Sequence, residues 1–323
     1  MKKAAWVLFS VVTWVLSSTI SPSLAQDNYP TRPIRLVVGF PPGAAADVAA
    51  RLLAQRLAAQ VSVNVIVDNR SGGNAIIATE YVARANPDGY TLLFNTPGVV
   101  LLQAFDLKLG YDLFRDLAPI GLVTTTPLLL DTHPSVPVNT VGEFMAYLKA
   151  NPDKLAYGST GTGNLTHLAN MLILQTNNLT ALHVPYKSGA EVMISLVGGS
   201  TQFALQSVAT VSPMATRVKI LAITGLKRSP LLPNVPTMSE TIMPGFEVST
   251  WTGVIVPAKA PPAIVRRLST EMTKALQDPD MKAKLAQENI DAVITTPTEY
   301  GAYLKSELER WTKVIKSANI KLE

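Results

Sequence analysis

Short apolar segments that alternate with amphipathic ones constrain the fold of this chain more than any other feature of its sequence. Ile34–Val38 is rich in β-branched residues and precedes Pro41-Pro42-Gly43, which is typical of a strand that ends in a loop. From Ala45 onward, apolar residues recur at helical spacing. The next segments predict a strand at Val61–Val67, a helix at Ile76–Ala85 and a strand at Tyr90–Phe94. Because crossovers between such units are right-handed, this order predicts a parallel α/β sheet.

The same alternation resumes near Pro119 and continues towards the C-terminus. Helix starts are signalled by Thr140 and Glu143, which form a capping-box pattern, and by Asn164 or Thr166 before an apolar helical face. Strands are predicted at Gly121–Thr124, Leu128–Asp131, Leu155–Gly158, Leu182–Val184, Gln202–Leu205, Lys219–Thr224, Val254–Val256 and Ala292–Thr295. The last helices are predicted at Pro262–Leu276, at Asp280–Glu288 and from about Thr298 to Lys316.

The length of the chain, 323 residues, favours two lobes over one hydrophobic core. No Gly/Ser-rich linker separates the lobes, so we expect extended segments at Leu122–Thr126 and Val248–Gly253 to join them. The predicted division is a signal peptide at 1–25, a discontinuous lobe one at 26–124 and 250–323, and lobe two at 125–249.

The N-terminus has the pattern of an export signal. Lys2 and Lys3 precede an apolar stretch that ends near Val15, and Ser23-Leu24-Ala25 is a small-x-small pattern that suits signal peptidase. An uncleaved membrane anchor is the alternative, but polar residues interrupt the stretch well short of the roughly 20 residues that span a bilayer. We therefore predict cleavage after Ala25 and a periplasmic protein.

Composition excludes several classes of function. The absence of cysteine removes disulfides, thiolate nucleophiles and zinc-thiolate sites together. The formal charge of +5 includes Lys2 and Lys3 of the predicted signal peptide, and the other basic residues are dispersed. Since nucleic-acid binding needs a clustered basic surface, we expect no nucleic-acid partner.

Catalytic motifs are largely missing. Ser159 lies in no G-x-S-x-G elbow, no phosphate-binding loop motif occurs, and the glycines around Gly161 lack the third glycine of a dinucleotide fingerprint. His133, His167 and His183 are scattered along the sequence without metal-ligand spacing, so we interpret them as structural. We predict no catalytic residue, no metal and no cofactor, although a hydrolase built on Ser159 and His167 stays open as an alternative.

Small and polar residues follow six of the predicted strands. These loops are Phe40–Asp47, Ser71–Asn74, Asn95–Gly98, Gly158–Asn164, Tyr186–Ala190 and Gln206-Ser207. In open parallel α/β sheets, ligands bind outside the carboxyl ends of the strands, and the free N–H groups of a first helical turn favour an anion. Asp47 suits a helix cap or a first-turn acid, and the amide of Gln206 offers a donor and an acceptor.

Several separated motifs resemble those of one known receptor family. They are, in order, Tyr29–Val38, Phe40–Gly43, Asp68–Arg70, Ala85–Leu93, His183–Lys187 and Leu232–Thr237. Together they resemble the Bug-type receptors of tripartite tricarboxylate transporters, and the resemblance extends from Tyr29 to the last helix.

The resemblance implies a type II periplasmic-binding-protein fold, in which two lobes close on a ligand in the cleft between them. It implies capture of a small carboxylate, which can be a mono-, di- or tricarboxylate or an aromatic acid. The ligand is then delivered to a membrane permease with one large and one small subunit. We expect a monomer. A receptor that signals to a membrane sensor is an alternative that the sequence leaves open.

The resemblance also implies which residues line the cleft. The loops at Phe40–Asp47 and Ser159–Asn164 hold a carboxylate from opposite lobes, and the other positions select the remainder of the ligand. The implied ligand-binding residues are Phe40, Gly43, Ala44, Ala45, Asp47, Gly72, Asn74, Thr96, Ser159, Gly161, Thr162, Asn164, Ala190, Gln206 and Ser207.

This chain departs from the family pattern at two places. Ala44-Ala45 replaces a pair that is often Gly-Gly, which keeps access to the backbone but narrows the conformational range of the loop. Leu205-Gln206-Ser207 stands where many relatives have an aromatic residue followed by an aspartate, and about two residues are missing before Val218. Without that acid to pair with a ligand amino group, the expected ligand is a carboxylate that has no cationic group.

Overall fold

The computed structural model describes residues 28–287 and 290–322, and the predicted signal peptide at 1–25 lies outside them. The strands of the described residues are β1 (Ile34–Val38), β2 (Val65–Asn69), β3 (Thr91–Asn95), β4 (Leu117–Thr132), β5 (Ala156–Ser159), β6 (Leu182–Pro185), β7 (Phe203–Ser207), β8 (Lys219–Ile223), β9 (Ser249–Pro257) and β10 (Asp291–Ala292).

The α-helices of the same residues are α1 (Ala45–Val61), α2 (Ile76–Ala83), α3 (Gly98–Ala104), α4 (Leu113–Asp116), α5 (Val141–Ala150), α6 (Leu165–Thr176), α7 (Gly189–Val197), α8 (Val208–Val211), α9 (Met238–Thr241), α10 (Pro262–Gln277), α11 (Pro279–Gln287) and α12 (Pro297–Ser317). Strands and helices alternate along most of the chain, so the protein is a mixed α/β structure, and its sheet extends through two lobes.

Lobe one contains three strands in the order β2-β1-β3, and they are parallel, as the β-α-β order of the sequence predicted. The antiparallel strand β9 lies between β3 and β4. Leu53 and Leu57 of α1 and Leu268 of α10 pack against the apolar side chains of these strands. The carboxyl ends of β1, β2 and β3 therefore lie together at one edge of the lobe.

Lobe two contains the strand order β8-β4-β7-β5-β6, in which β5 is parallel to both β6 and β7. Phe144, Tyr157 and Phe203 pack in the large core cluster that includes α5 and α6. Val192 and Leu196 of α7 pack in a second cluster of this lobe. The carboxyl ends of β5, β6 and β7 thus lie together, as those of β1, β2 and β3 do in lobe one.

The strand β4 belongs to both lobes. The sequence predicted two strands here, Gly121–Thr124 and Leu128–Asp131, with an extended crossing segment at Leu122–Thr126. The structure has one strand, since β9 pairs with β4 as far as Pro127 opposite Ser249, and Leu128–Thr132 then lies between β7 and β8. The lobe boundaries at 124/125 and 249/250 stay a prediction.

The closing helix α12 contacts both lobes. Tyr300 and Asn95, at the carboxyl end of β3, exchange two hydrogen bonds of 2.9 and 3.0 Å between hydroxyl and amide. Near the other end of the helix, the Ser317 hydroxyl donates to Gln175 Oε1 of α6 at 3.0 Å. The helix therefore supports the strand end of one lobe and the body of α6 in the other. None of the helices in the described ranges has the length and apolar character needed to cross a membrane.

Five short helices of the described residues, α3, α4, α7, α8 and α9, were not predicted from the sequence, and α3 and α7 are the longest of them. The seven-residue helix α3 is too short for its period to be recognised, and its side chains from Val99 to Leu102 are all buried. The helix α7 begins at Gly189, where a loop was expected, and Ser188 caps it by accepting the Glu191 N–H at 3.3 Å. Both helices begin at the carboxyl ends of strands, so they bring additional helix N-termini to the same edge of the sheet.

Candidate functional site

The loop between β1 and α1 is held from inside by Asp47. This residue is 2% exposed, and its carboxylate accepts hydrogen bonds from Gly43 N–H at 2.9 Å, Arg51 Nε at 2.9 Å and Asn69 Nδ2 at 2.8 Å. Burial alone would raise its pKa, but the hydrogen bonds from Arg51, Gly43 and Asn69 lower the pKa of Asp47 to about 2. Asp47 is therefore ionised at neutral pH, and protein donors occupy both of its oxygen atoms.

This geometry gives Asp47 and Gly43 a role inside the loop, and their assignment as ligand contacts stays a prediction. The carboxylate faces the interior of the loop, and the Gly43 N–H is already bonded to it. The N–H groups of Ala45 and Ala46, in the first turn of α1, have no acceptor among the described residues. Lobe one therefore offers an anion the N-terminus of a helix instead of a glycine amide. Ala44 is the N-cap residue of that helix.

Asn69 joins the loops that follow β1 and β2. Its amide group donates to Asp47 and, at 3.0 Å, to the Phe40 carbonyl, while its oxygen accepts from an Arg51 guanidinium nitrogen at 3.0 Å. In the sequence, Asn69 is marked only by its place in the motif Asp68–Arg70. The turn at Gly72–Asn74 follows within a few residues, and Gly72 has a φ of +135°, which strongly favours glycine.

The loop between β5 and α6 is held by two histidines. The hydroxyl of Ser159 lies 2.7 Å from His183 Nε2 and accepts the Gly161 N–H at 3.2 Å. The Gly163 N–H donates to His167 Nδ1 at 3.0 Å. The two imidazole rings stack with their centroids 3.9 Å apart. Histidines that are scattered in the sequence thus form one cluster under the loop.

The same geometry gives Ser159 and Gly161 a role inside the loop, and their assignment as ligand contacts stays a prediction. Ser159 is 0% exposed, and the Gly161 N–H is used inside the loop. Thr162 is exposed at the tip of the loop. The N–H groups of Leu165 and Thr166, in the first turn of α6, have no acceptor among the described residues. In lobe two, as in lobe one, the available donors lie on the first turn of a helix.

A hydrogen bond between Asn74 and Asn164 joins the two lobes. Asn74 Nδ2 donates to Asn164 Oδ1 at 3.3 Å, and Asn164 Nδ2 donates to the Thr160 carbonyl at 2.6 Å. A Cβ added to Gly98 would lie 3.3 Å from Asn74 Oδ1, so the turn after β2 also touches the start of α3. These contacts bring the N-termini of α3 and α6 and the turn after β2 to the same part of the interface between the lobes.

Gln206 is a buried polar group at the carboxyl end of β7. It is 2% exposed, and its Nε2 has no hydrogen-bond partner among the described residues. A Cβ added to Gly189, at the start of α7, would lie 2.9 Å from Gln206 Oε1, so a larger residue there would displace the amide. A buried N–H group without an acceptor is costly, which makes Nε2 a candidate donor to a ligand or a water molecule.

The other predicted site residues lie at strand ends or in first helical turns. Thr96 is half-buried between β3 and α3, and Ala190 is exposed in the first turn of α7. Ser207 caps α8, and its hydroxyl bonds to the Thr210 N–H at 3.4 Å and to Thr210 Oγ1 at 2.9 Å. The Ser207 side chain is therefore already engaged within its own loop.

The partner of Ser159 bears on the hydrolase alternative. Nucleophilic catalysis needs a serine that substrate can reach and an acid that orients the base. Ser159 is buried and pairs with His183 instead of His167, and neither His183 nor His167 forms an ion pair with an acid within residues 28–287 and 290–322. The same residues hold no cluster of histidine, aspartate and glutamate suited to a metal ion. This geometry does not support a hydrolase.

A family model described as "Tripartite tricarboxylate transporter family receptor" matches residues 49–320. Among curated relatives, the "UPF0065 protein in tcbD-tcbE intergenic region" of a Pseudomonas strain is 37% identical over 305 residues, which cover 93% of this chain and 91% of the relative. The match to the family model spans most of the chain and includes the loop between β5 and α6, but it begins within α1, after the loop between β1 and α1.

Solved structures give the same result. An R. palustris protein "with adipate" is 32% identical, with a TM-score of 0.79 and coverage of 91% of this chain and 99% of that chain. The "periplasmic binding protein BugD" is 31% identical, with a TM-score of 0.75 and coverage of 91% and 100%. MatC from Rhodopseudomonas palustris "with bound malate" is 27% identical, with a TM-score of 0.74 and coverage of 89% and 100%. These likenesses confirm the expected two-lobed fold, and the chain belongs to the tripartite tricarboxylate transporter receptor family.

Proposed function

We propose that this protein is a periplasmic receptor that binds a small carboxylate without a cationic group in the cleft between its lobes. The observation that carries the proposal is a pair of helix N-termini, α1 in lobe one and α6 in lobe two, whose first-turn N–H groups have no acceptor among the described residues. Such N–H groups and the helix dipole favour an anion. Adipate and malate, the ligands named for two of the similar structures, are both dicarboxylates.

Binding energies explain why both lobes are needed. A micromolar receptor requires about 8 kcal/mol of binding free energy. Each charge-assisted hydrogen bond contributes roughly 1.5–3 kcal/mol before the entropy cost of association is subtracted. The two free donors at Ala45 and Ala46 are too few to reach that total. Closure that adds donors from α6 and excludes water brings the total into range.

Selection of the rest of the ligand is assigned to Gln206 and its neighbours. Its unpartnered Nε2 suits an acceptor such as a second carboxylate or a hydroxyl group. An amide at this position has no charge to pair with a ligand ammonium group, so an amino acid would bring a buried, unpaired cation. We therefore propose a dicarboxylate or a neutral-tailed monocarboxylate as ligand, with Asn74, Thr96, Thr162, Asn164 and Ala190 as further contacts.

The proposal also includes export of the protein to the periplasm and delivery of its ligand to a permease. Cleavage after Ala25 would release residues 26–323 into the periplasm, and the description of BugD as periplasmic supports that location. The family description as a transporter receptor supports delivery to a membrane permease. The proposed cleft lies between lobe one, at 26–124 and 250–323, and lobe two, at 125–249.

A thermal-shift screen of purified residues 26–323 against carboxylates tests the proposal. Adipate and malate lead the panel, and each acid is paired with an analogue that adds an amino group, such as glutamate for glutarate. A ligand at 100 times its dissociation constant stabilises the folded state by about 2.7 kcal/mol, which raises the melting temperature measurably. We expect stabilisation by at least one carboxylate and none by its amino analogue. Stabilisation only by amino acids, or by no carboxylate at all, would refute the proposal.

A further inference from the structure

His167 and His183 form a tightly stacked pair beneath the loop Ser159–Asn164. Their ring planes are 11° from parallel, with centroids 3.9 Å apart, and Tyr157 stacks against His183 at 5.0 Å. His167 is 5% exposed, and His183 is partly buried. The rings come from different elements, α6 and β6, so the pair joins the helix that starts at the cleft to the neighbouring strand.

Each ring forms one hydrogen bond with the loop above it. The Gly163 N–H donates to His167 Nδ1 at 3.0 Å, which requires a lone pair on that nitrogen. His183 Nε2 lies 2.7 Å from Ser159 Oγ, and the same hydroxyl accepts the Gly161 N–H. The backbone of the loop is therefore fixed through two imidazoles, and a proton on His167 Nδ1 would turn an acceptor into a donor that faces another donor.

The surroundings of the pair provide no compensation for a positive charge. The groups packed against it are Tyr157 of β5, a titratable phenol whose pKa burial raises, and the aromatic ring of Phe203 of β7 beyond it. Within the part of the chain that the structure describes, neither imidazole forms an ion pair. Two imidazolium ions at the observed separation would also repel each other.

We propose that His167 and His183 are positioning residues for the carboxylate-binding loop of lobe two, which hold it while both rings are neutral and release it when His167 takes up a proton. The inference deepens the proposed function, on which it rests for the loop's ligand. Its physical basis is the Gly163 hydrogen bond, which the neutral ring accepts and the protonated ring cannot. The loop in lobe one has no such dependence near neutral pH, since it is fixed by the carboxylate of Asp47.

The titration of His167 supports this geometry. Burial, followed by the proximity of His183, lowers its pKa to about 4, and burial also lowers the pKa of His183. If opening of the loop returns His167 to the ordinary value of about 6.5, acidification from pH 7 to pH 5 increases the opening equilibrium about 20-fold. This increase in the opening equilibrium occurs in a pH range in which the folded protein can be studied.

Amide hydrogen exchange of the ligand-free protein, followed by NMR, tests the inference without any assumption about the ligand. We expect the protection factor of the Gly163 N–H to fall about 20-fold between pH 7 and pH 5. The Gly43 N–H is an internal control, because its acceptor Asp47 stays ionised in that range. The chain has three histidines, so single substitutions assign their ring signals, and the His167 signal of the closed loop should titrate near pH 4.

His167→Asn is the matched variant, since asparagine places an acceptor oxygen near the position of Nδ1 but does not titrate. We expect Gly163 to stay protected in this variant at both pH values. The affinity of the variant for adipate, or for malate if adipate fails to bind, should fall less between pH 7 and pH 5 than the affinity of the wild type does. Constant Gly163 protection in the wild type, or an equal loss in His167→Asn, would overturn the inference. Failure of both acids to bind at pH 7 would instead count against the proposed function, and the exchange data would still decide the role of the histidines.

Discussion

The two loops that face the cleft are fixed by opposite kinds of chemistry. In lobe one, an ionised carboxylate, Asp47, accepts hydrogen bonds from Gly43, Arg51 and Asn69. In lobe two, a stacked pair of histidines performs the same task for the loop that begins at Ser159. The carboxylate keeps its charge far below neutral pH, whereas the imidazoles must stay uncharged. Lobe one should therefore keep its loop ordered under conditions that loosen the loop of lobe two.

Buried acids show the same contrast between the lobes. Both oxygen atoms of Asp47 have donors, while Asp131, in the part of β4 that belongs to lobe two, is 0% exposed and has no partner for either oxygen among the described residues. Burial raises the pKa of Asp131 well above its usual value. Lobe one thus stabilises the buried charge of Asp47, whereas lobe two keeps the buried Asp131 neutral.

The largest effect is expected at Asp131. Its folded pKa is raised, so stability is lost as pH rises above about 4, at about 1.4 kcal/mol per unit until the folded pKa is reached. Asp131→Asn cannot ionise, and its free energy of unfolding relative to the wild type should increase with pH above pH 4, by about 1.4 kcal/mol for each pH unit below the folded pKa of Asp131. Urea denaturation of the variant and the wild type at pH 4 and pH 7 measures this difference. Asp153→Asn, an exposed acid of the same lobe, is the control; equal behaviour of the two variants would show that Asp131 is not a buried neutral acid.

The second effect separates the two loops by pH. Since the pKa of His167 is lowered from about 6.5 to about 4, its contribution to stability is lost as pH falls through that window, by about 3 kcal/mol. The pKa of Asp47 is lowered to about 2, so its contribution is lost only below about pH 4. Denaturation curves should show His167→Asn gaining on the wild type between pH 6.5 and pH 4, and Asp47→Asn gaining only below pH 4. Coincident windows for the two variants would contradict the comparison.

The third effect is the removal of the support in lobe one. Asp47→Ala leaves the Gly43 N–H without its acceptor and removes one of the two acceptors of the Asn69 amide, which should lower the free energy of unfolding by about 2 kcal/mol and weaken carboxylate binding at least tenfold. Asp88→Ala, which removes the exposed ion pair with Arg32, should change stability by less than about 1 kcal/mol. Chemical denaturation and calorimetry measure both variants. Normal binding by Asp47→Ala would mean that this carboxylate does not order the loop.

The smallest effect concerns the contact between the lobes. The Asn74 to Asn164 hydrogen bond is 3.3 Å long and exposed, so Asn74→Ala should lower stability by less than about 1 kcal/mol. If Asn74 also contacts the ligand, affinity should fall by more than stability does. Titration calorimetry and denaturation on the same sample compare the two, and a loss of stability with unchanged affinity would limit Asn74 to a structural contact.

Much of the fold could be predicted from the sequence because the strands are short, apolar and followed by loops. Ile34–Val38 coincides with β1, and the β-α-β order gave the parallel strands. The helices α3 and α7 could not be predicted, since one is too short for its period to be read and the other begins in a glycine-containing loop. The continuity of β4 depends on pairing with β9, which lies more than a hundred residues away in sequence.

The sequence indicated the loops of the candidate site, but it could not indicate which of their N–H groups are free. The loops at the strand ends were identified because small residues cluster there. Which N–H groups are free depends on contacts across the loops, such as Gly43 with Asp47 and Gly163 with His167. The stacking of His167 on His183 joins residues from α6 and β6, and no spacing rule for metal or catalytic histidines describes such a pair.

The most direct test of the account uses position 45, where the first free N–H of α1 lies. Proline suits the first position of a helix, and the extended backbone of Ala44 allows it, so Ala45→Pro should fold and lose only that donor. Ala45→Ser keeps the N–H and is the matched control. In calorimetric titrations with the most stabilising carboxylate of the screen, we predict 10- to 100-fold weaker binding by Ala45→Pro and near-normal binding by Ala45→Ser. Equal affinity of Ala45→Pro and the wild type would contradict a carboxylate site at this helix N-terminus.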